Sequence, residues 1–574
     1  MNQTRVFLIF AWLMVATLLW MEWGKEKALP AEAAQTSTAT ATSAAANGSV
    51  PGAPSAPAAP GAVPSAPSMA AAASPATAGA ASSPTATVTT DVLNVVLDGG
   101  ELRQADLLKY PSTADRDSAP VRVFAQDPAN YFVAQSGWVQ SGSANGQNAP
   151  THQAGFVPEG GKTDYTLADG ASSVDVPFVW TGANGVTIRR TYTFSRGDYV
   201  VKVRDEVINA GSAPWQGFVY RQLSRVPRAL VKKGPMSAEQ YSFQGAAWYS
   251  STDKYEKRKY EDFVDDGPMQ KEVTGGWIGM LQHHFFSAWI PGANDKSTFS
   301  LATTQGTGGT QYVVREVGPG VNVAPGATAS TEARLWVGPK LVKAIEAQNV
   351  PNLDRAVDFS SFSIMATIAG WLFWVLEKIY GLVGNWGWAI VGLVLLIKLA
   401  MYPLSAAQYK SMAKMRKFQP RMAQLKERYG DDKQKLQMAM MELYKKEKIN
   451  PVGGCLPILL QMPVFLALYW MLSESVELRH APWIGWITDL TARDPYFVLP
   501  LINVAVMWFT QKLNPTVGMD PMQAKMMQFM PLVFGVMFAF FPAGLVLYWV
   551  TNGALGLLQQ WWMVKRYSEE PAKA

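Results

Sequence analysis

The chain has 574 residues, enough for two or more domains, and its net charge is only +6. Its 48% hydrophobic content crowds after residue 359, which points to a soluble part followed by a membrane part. A single cysteine, Cys455, excludes a disulfide framework, and four histidines (His152, His283, His284, His480) lack metal-ligand spacing, so neither metal nor cofactor is implied.

Residues 6–21 form an apolar run behind a lone Arg5. The run stays bulky through Trp20 and Trp23, with no small-residue cleavage site directly behind it. It reads as a retained anchor over 1–25 rather than a cleaved signal peptide. Residues 26–90 are rich in Ala, Pro, Ser and Thr and carry almost no charge. Such a segment cannot bury a core and reads as a flexible linker that decouples the next domain from the rest.

Residues 91–339 read as all-β. Val186, Ile188, Arg190, Tyr192 and Phe194 alternate at period two, Ser195 to Asp198 supply a turn, and Tyr199, Val201, Val203, Asp205 and Val207 alternate again. This spacing predicts a hairpin within a large β-sandwich. No nucleophile–base pair and no phosphate loop stand out, and the adjacent His283 and His284 lie in an apolar run that suits packing.

The region 340–384 holds two helix candidates, 340–350 and the Trp-rich 363–380. Next comes the apolar stretch 388–404, whose one charge is Lys398. A charge near the centre of a membrane helix costs roughly 2.5–3.5 kcal/mol. Two readings stand: Lys398 snorkels to the interface, or it faces a wet cavity. Further apolar stretches at about 453–472, 496–511, 527–541 and 545–564 carry Gln461, Asn503, Asn552 and Gln559–Gln560. Lone amides in membrane helices commonly join helix to helix, but with Lys398 they also suit the lining of a hydrated groove. The loop 405–452 is strongly basic, which keeps it cytoplasmic. With the N-terminus inside, one crossing must then precede the loop. The better span is 388–404, so 363–380 is expected along the outer interface, giving six spans and both termini inside.

Within that loop Met415, Phe418, Met422 and Leu425 follow heptad spacing, and Leu436, Met440 and Leu443 form a second stripe. The pattern predicts a helical hairpin begun or kinked at Pro420, stopped at Gly430 and restarted by an Asp431 or Asp432 cap. Methionine-rich surfaces adapt to varied apolar partners, so this hairpin suits capture of hydrophobic segments; its basic face suits ribosomal RNA or anionic lipid.

Asn385-Trp-Gly387, Met401-Tyr-Pro-Leu404, Gln408-Tyr409, Asn450-Pro-Val-Gly-Gly-Cys-Leu-Pro457, Gln461-Met-Pro463, Val476-Glu-Leu-Arg479 and Phe541-Pro-Ala-Gly-Leu-Val-Leu-Tyr548 resemble the YidC/Oxa/Alb family of membrane protein insertases. The anchor, linker and β domain resemble the additional periplasmic region of its Gram-negative form. The resemblance implies a fold of two parts: an α-helical membrane bundle of six spans, five of them an insertase core at 385–565, and an all-β periplasmic supersandwich. It also implies a groove open to cytoplasm and lipid, and work alone or with the Sec translocon. Lys398 falls where the family has its groove arginine, and Gln461, Asn503, Asn552 and Gln559 are the other groove candidates. Met462 and Phe465 fall on the helix that resembles the client-contacting one, where ordinary helix packing is the other reading, and Tyr548 and Trp549 are the remaining client-contact candidates. The tail 566–574 is short and weakly basic, so ribosome contact is expected from the hairpin if anywhere.

The expected function is insertion and folding assistance for inner-membrane proteins, with nascent membrane proteins, the lipid bilayer and the Sec translocon as partners and no covalent chemistry. An ion-coupled transporter would need inverted repeats, and none is visible. An envelope-binding protein acting through its β domain is the other alternative.

Overall fold

The computed structural model describes residues 84–568 apart from 116, 141–148, 154, 229–241, 307, 361, 409–417, 431, 447–455 and 514–520. The expected anchor, almost all of the linker, Met415 and the end of the tail lie outside the described residues.

Among the described residues, ten strands form one sheet and nine a second, nearly all antiparallel. The hairpin read from the sequence is present: Val186–Ser195 pairs with Val200–Asn209, Ile188 opposite Val207 and Phe194 opposite Val201. Its alternating apolar side chains are buried. The first strand, Ala86–Thr89, starts inside the stretch assigned to the linker, because the β-branched run Thr87-Val88-Thr89 can pair with Leu93–Leu97. The two sheets pack face to face. Trp138 of one sheet donates to Asp205 of the other at 2.7 Å, and Trp289 donates back to the Gln222 carbonyl at 3.2 Å.

The inward-facing Arg190 is 0% exposed and is neutralised across the hairpin. Its Nε and Nη2 lie 2.7 and 2.6 Å from the two oxygens of Asp205, and its Nη1 donates to the carbonyls of Gly99 and Ser136. A buried ion pair holds only when its remaining donors and acceptors are satisfied, and here they tie both sheets together.

The helical part begins with α1 (Val342–Glu346) and continues through α2 (Ser363–Val383) and α3 (Trp386–Ala400). A short α4 (Tyr402–Gln408) follows at 63° to α3. The hairpin of the basic loop is α5 (Gln419–Tyr429) and α6 (Lys433–Lys446). The last four helices are α7 (Leu456–Glu474), α8 (Val498–Leu513), α9 (Pro521–Phe538) and α10 (Ala543–Ser568). The stretch 388–404 is therefore not straight: the Pro403 ring clashes with the carbonyl four residues back and breaks the helix near Met401. Among the described residues, Ile364–Val383 alone is long and apolar enough to cross a bilayer, and α3 with α4 passes only as a bent pair. A count of six spans does not follow from helix length.

Small residues let the helices approach. A side chain on Gly535 of α9 would collide with Val504 of α8, and one on Gly553 of α10 would sit 2.9 Å from Val506. The outer loop then pins the bundle: Gly544 donates to the Leu490 carbonyl at 2.8 Å, and Asn385 to the carbonyls of Pro482 and Trp483.

The β domain is seated on this outer end rather than decoupled from it. Arg479, just beyond α7, donates to the carbonyls of Pro111 and Ser112 at 2.7 and 3.0 Å and lies over the Phe285 ring. Glu477 accepts from the Val342 amide, and burial pushes its carboxyl up to about 7. The linker precedes the domain, whereas the segment joining domain to core is short and packed.

Arg190→Met strands the Asp205 carboxylate between the sheets, which costs about 3–5 kcal/mol. The full chain should then show the β domain melting early by near-ultraviolet circular dichroism; a wild-type transition would contradict the clamp.

Candidate functional site

Lys398 sits in the last turn of α3, where a cation is favoured by the exposed carbonyls. It is half-buried, and no described residue hydrogen-bonds or ion-pairs with it. At 1.5 Å per residue it lies about 18 Å from the outer start of its helix, in a hydrocarbon layer of about 30 Å. On the same rise, Asn552 and Gln559 lie about 14 and 24 Å below the start of α10, and Gln461 about 20 Å below the end of α7. Lys398, Gln461 and Gln559 thus lie farther along their helices from the end nearest the β domain than Asn552 does.

Asn503 lies apart from them, about 8 Å from the start of α8. It is 1% exposed, and its Nδ2 lies 3.8 Å from the Met507 sulfur, a contact within its own helix. Gln559 is half-buried, and its Nε2 has no described partner. Its neighbour Gln560 is 2% exposed, so the adjacent amides face different surroundings. No hydrogen bond among the described residues links the five candidates directly; α3 and α10, which carry three of them, pack side by side.

Of the four expected client-contact residues, three meet. Phe465 of α7 stands edge-on to Trp549 of α10 at 4.8 Å and stacks near Tyr548 at 6.5 Å, with Phe538 of α9 5.3 Å from Trp549. Tyr548 is buried, so this cluster joins three helices. Met462, one turn further in on the same face of α7, is 45% exposed. It is the member of the set that presents open surface.

The loop hairpin forms as α5 packed on α6. Pro420 stands in the first turn of α5, and Asp432 caps α6 by accepting from the amides of Gln434 and Lys435 at 3.1 Å. Gly430 is not a left-handed stop: its φ is −59°, and its place is explained by closeness, since a Cβ there would sit 2.6 Å from the Lys426 carbonyl. Met422 is buried; Phe418, Leu425 and Met440 are half-buried; Met438 and Met441 are exposed.

Sequence reasoning missed a second polar cluster, where Lys340, His283 and Ser242 meet Glu474 at the outer end of α7. Its signal was the abrupt Ser473-Glu474-Ser475 behind an apolar helix.

Residues 85–375 match the family model described as the YidC periplasmic domain, and residues 378–570 match that of the 60Kd inner membrane protein. The membrane protein insertase YidC of Stenotrophomonas maltophilia (strain R551-3) is 59% identical over 575 residues, covering 100% of this chain and 98% of the relative. That of Xanthomonas axonopodis pv. citri (strain 306) is 58% identical over 578 residues, covering 100% and 99%. The chain belongs to the YidC family of membrane protein insertases. A crystal structure of an active YidC insertase with its first transmembrane domain resolved aligns over 83% of this chain and 94% of its own, at 19% identity and a TM-score of 0.35. The YidC assignment rests on the sequence relatives and the family models.

If Lys398 faces water and translocating segments, its charge is the property that counts, since attraction in a low-dielectric site scales with charge. Lys398→Arg should retain insertion. Lys398→Met should slow clients with acidic translocated tails more than neutral ones in a reconstituted insertion assay. Equal rates for both client types in Lys398→Met and wild type would restore the snorkelling reading.

Proposed function

We propose that this chain inserts nascent membrane proteins into the bacterial inner membrane through a hydrated groove at the inner ends of α3, α7 and α10, without covalent chemistry. The observation that carries this reading is Lys398, a half-buried ammonium in an apolar helix with no described counter-charge. Burying a polar tail in lipid is costly, and a wet path through half the bilayer shortens the dry crossing. The groove lowers that cost, Lys398 attracts acidic residues, and the apolar segment leaves sideways past Met462 into lipid.

Topology follows from charge and packing. The basic hairpin stays in the cytoplasm. The polar segment carrying Lys343, Glu346, Asp354 and Arg355 lies along α2 from Ala366 to Lys378, with Lys343 2.7 Å from Glu377. Such a charged segment belongs in water, which supports α2 lying along the outer surface, with Trp371 and Trp374 lining the cleft it shares with that segment. Then α3, α7, α8, α9 and α10 are five spans and the anchor at 1–25 the sixth, with both termini cytoplasmic and the β domain periplasmic. The hairpin receives the client, and its basic residues suit contact with a ribosome; the chain works alone or with the Sec translocon.

Two outcomes test this. In a Cys455→Ser background, a cysteine at 435 should resist an impermeant thiol reagent in spheroplasts, whereas one at 294 should react; labelling at 435 would overturn the arrangement. Replacing 415–446 with a short Gly/Ser linker should cut crosslinking to nascent clients severalfold while the β domain keeps its melting transition. Normal crosslinking and insertion would leave the hairpin only a topological role.

A further inference from the structure

Residues 495–568 carry one acid, Asp520, against Lys512, Lys525, Lys565 and Arg566. Helices α8 and α10 hold two of these cations and pack side by side. Both begin at the outer loop, where Arg493 and Pro542 form a β-bridge. They approach closely where a side chain on Gly553 would sit 2.9 Å from Val506. One turn further in, a slot of about 600 Å³ opens between them. Phe509 of α8 and Leu557, Leu558 and Trp561 of α10 wall it, and the short side chain of Ala554 leaves it room. Its one charged lining residue is Lys512.

The slot looks outward from the bundle. Leu558, Trp561 and Lys565 recur at spacings of three and four residues and are exposed. At about 3.6 residues per turn, Asn552 and Gln559 fall on the other side of α10. The slot is therefore a different surface from the proposed groove.

The cations stand at its inner rim. The Lys512 ammonium lies 3.6 Å from the centre of the Trp508 ring, and the Lys565 ammonium 5.9 Å from that of Trp561. No described residue hydrogen-bonds or ion-pairs with Lys512. Tryptophan concentrates where headgroups meet acyl chains, and a lysine over its ring is held at that level. Apolar walls under a cationic rim complement a molecule with long apolar chains and an anionic head. A client helix would fill the walls without using the rim, and a second copy of this chain would bring like charges to it.

We infer that the slot between α8 and α10 binds an anionic phospholipid of the inner leaflet, an acyl chain lying against Phe509, Leu558 and Trp561 and the phosphate meeting Lys512 and Lys565. The inference rests on the six-span reading, which puts the inner ends of both helices at the cytoplasmic interface. The lipid fills the space that the side chains of the two helices leave open.

The test uses the full chain in a Cys455→Ser background with a nitroxide at 505, in vesicles of phosphatidylcholine holding a minor fraction of phosphatidylglycerol. Ala505 is exposed on the face of α8 that carries Phe509 and Lys512, about 10 Å outward of Lys512 and so at acyl-chain depth. Chain deuterium is placed either on the phosphatidylglycerol or on an equal amount of phosphatidylcholine, so that composition stays constant. Deuterium modulation of the nitroxide echo then reports which lipid lies beside the label. Each lysine at headgroup level favours an anionic lipid about fivefold, so after dilution by surrounding lipid the phosphatidylglycerol signal should be larger by roughly threefold or more. The double variant Lys512→Gln/Lys565→Gln should bring the two signals to parity, and Lys512→Arg should keep the preference. Ala554→Phe fills the slot with both lysines in place and should also give parity. Equal signals in wild type mean ordinary surrounding lipid only and overturn the inference. So does a preference that survives Ala554→Phe, which would belong to the charged surface without the slot. A label at 505 that senses neither lipid contradicts the six-span reading itself, and the site falls with it.

Discussion

A hydrocarbon layer offers no hydrogen-bond partner, and the arrangement from Trp386 to Ser568 answers to that constraint. Backbone groups are satisfied within helices, Gly535 and Gly553 let those helices touch, and the outer loop donates and accepts where α10 begins. Lys398 is the exception. Its ammonium is retained in an apolar helix without a partner among the described residues, and the proposed groove is the reading that gives it one. The break near Met401 matters here, because it puts Lys398 in a final turn whose carbonyls already favour a cation. Under the function proposed, the charge, the half-buried Gln559 and the exposed Met462 serve one device: a polar inner chamber with an apolar exit.

The β domain solves a different problem. It crosses no lipid and can bury charge freely provided each charge is paired. Arg190 with Asp205 joins its two sheets, and Arg221 with Glu316, 3.0 Å apart, repeats the solution elsewhere in the core. The same device recurs where the domain meets the helices, with Lys340 and Glu474. A domain held by buried charge at its joint is a structural support for the bundle and not a tethered accessory.

Much of this was legible in the sequence because the relevant signals are local. Period-two alternation located the hairpin of residues 186–209, including the inward Arg190, and residue type and spacing narrowed the α6 cap to Asp431 or Asp432, of which Asp432 caps it. Lys398 announced itself as a lone charge in an apolar stretch. What sequence reading could not supply was anything set by distant contacts. Apolar runs did not reveal the α3–α4 bend, although Pro403 was its cause. Gly430 looked like a left-handed stop but is needed for closeness to Lys426. Asn503 shares its residue type with Asn552 yet is spent within α8, and no local pattern separates the two. The Glu474 joint assembles residues more than two hundred positions apart, and the linker, prominent in composition, drew the reading toward a decoupled domain.

The central claim is that one face of α3 is wet at the depth of Lys398. Thiol reagents attack the thiolate, which forms only where water reaches. Single cysteines placed at 391, 394, 395, 398 and 399 in a Cys455→Ser background, reacted with a small water-soluble reagent in proteoliposomes, map that face directly. The account predicts fast reaction at 398 and slow reaction at the lipid-facing 395 and 399. A cysteine at 398 as unreactive as those two would place the residue in lipid and contradict the groove.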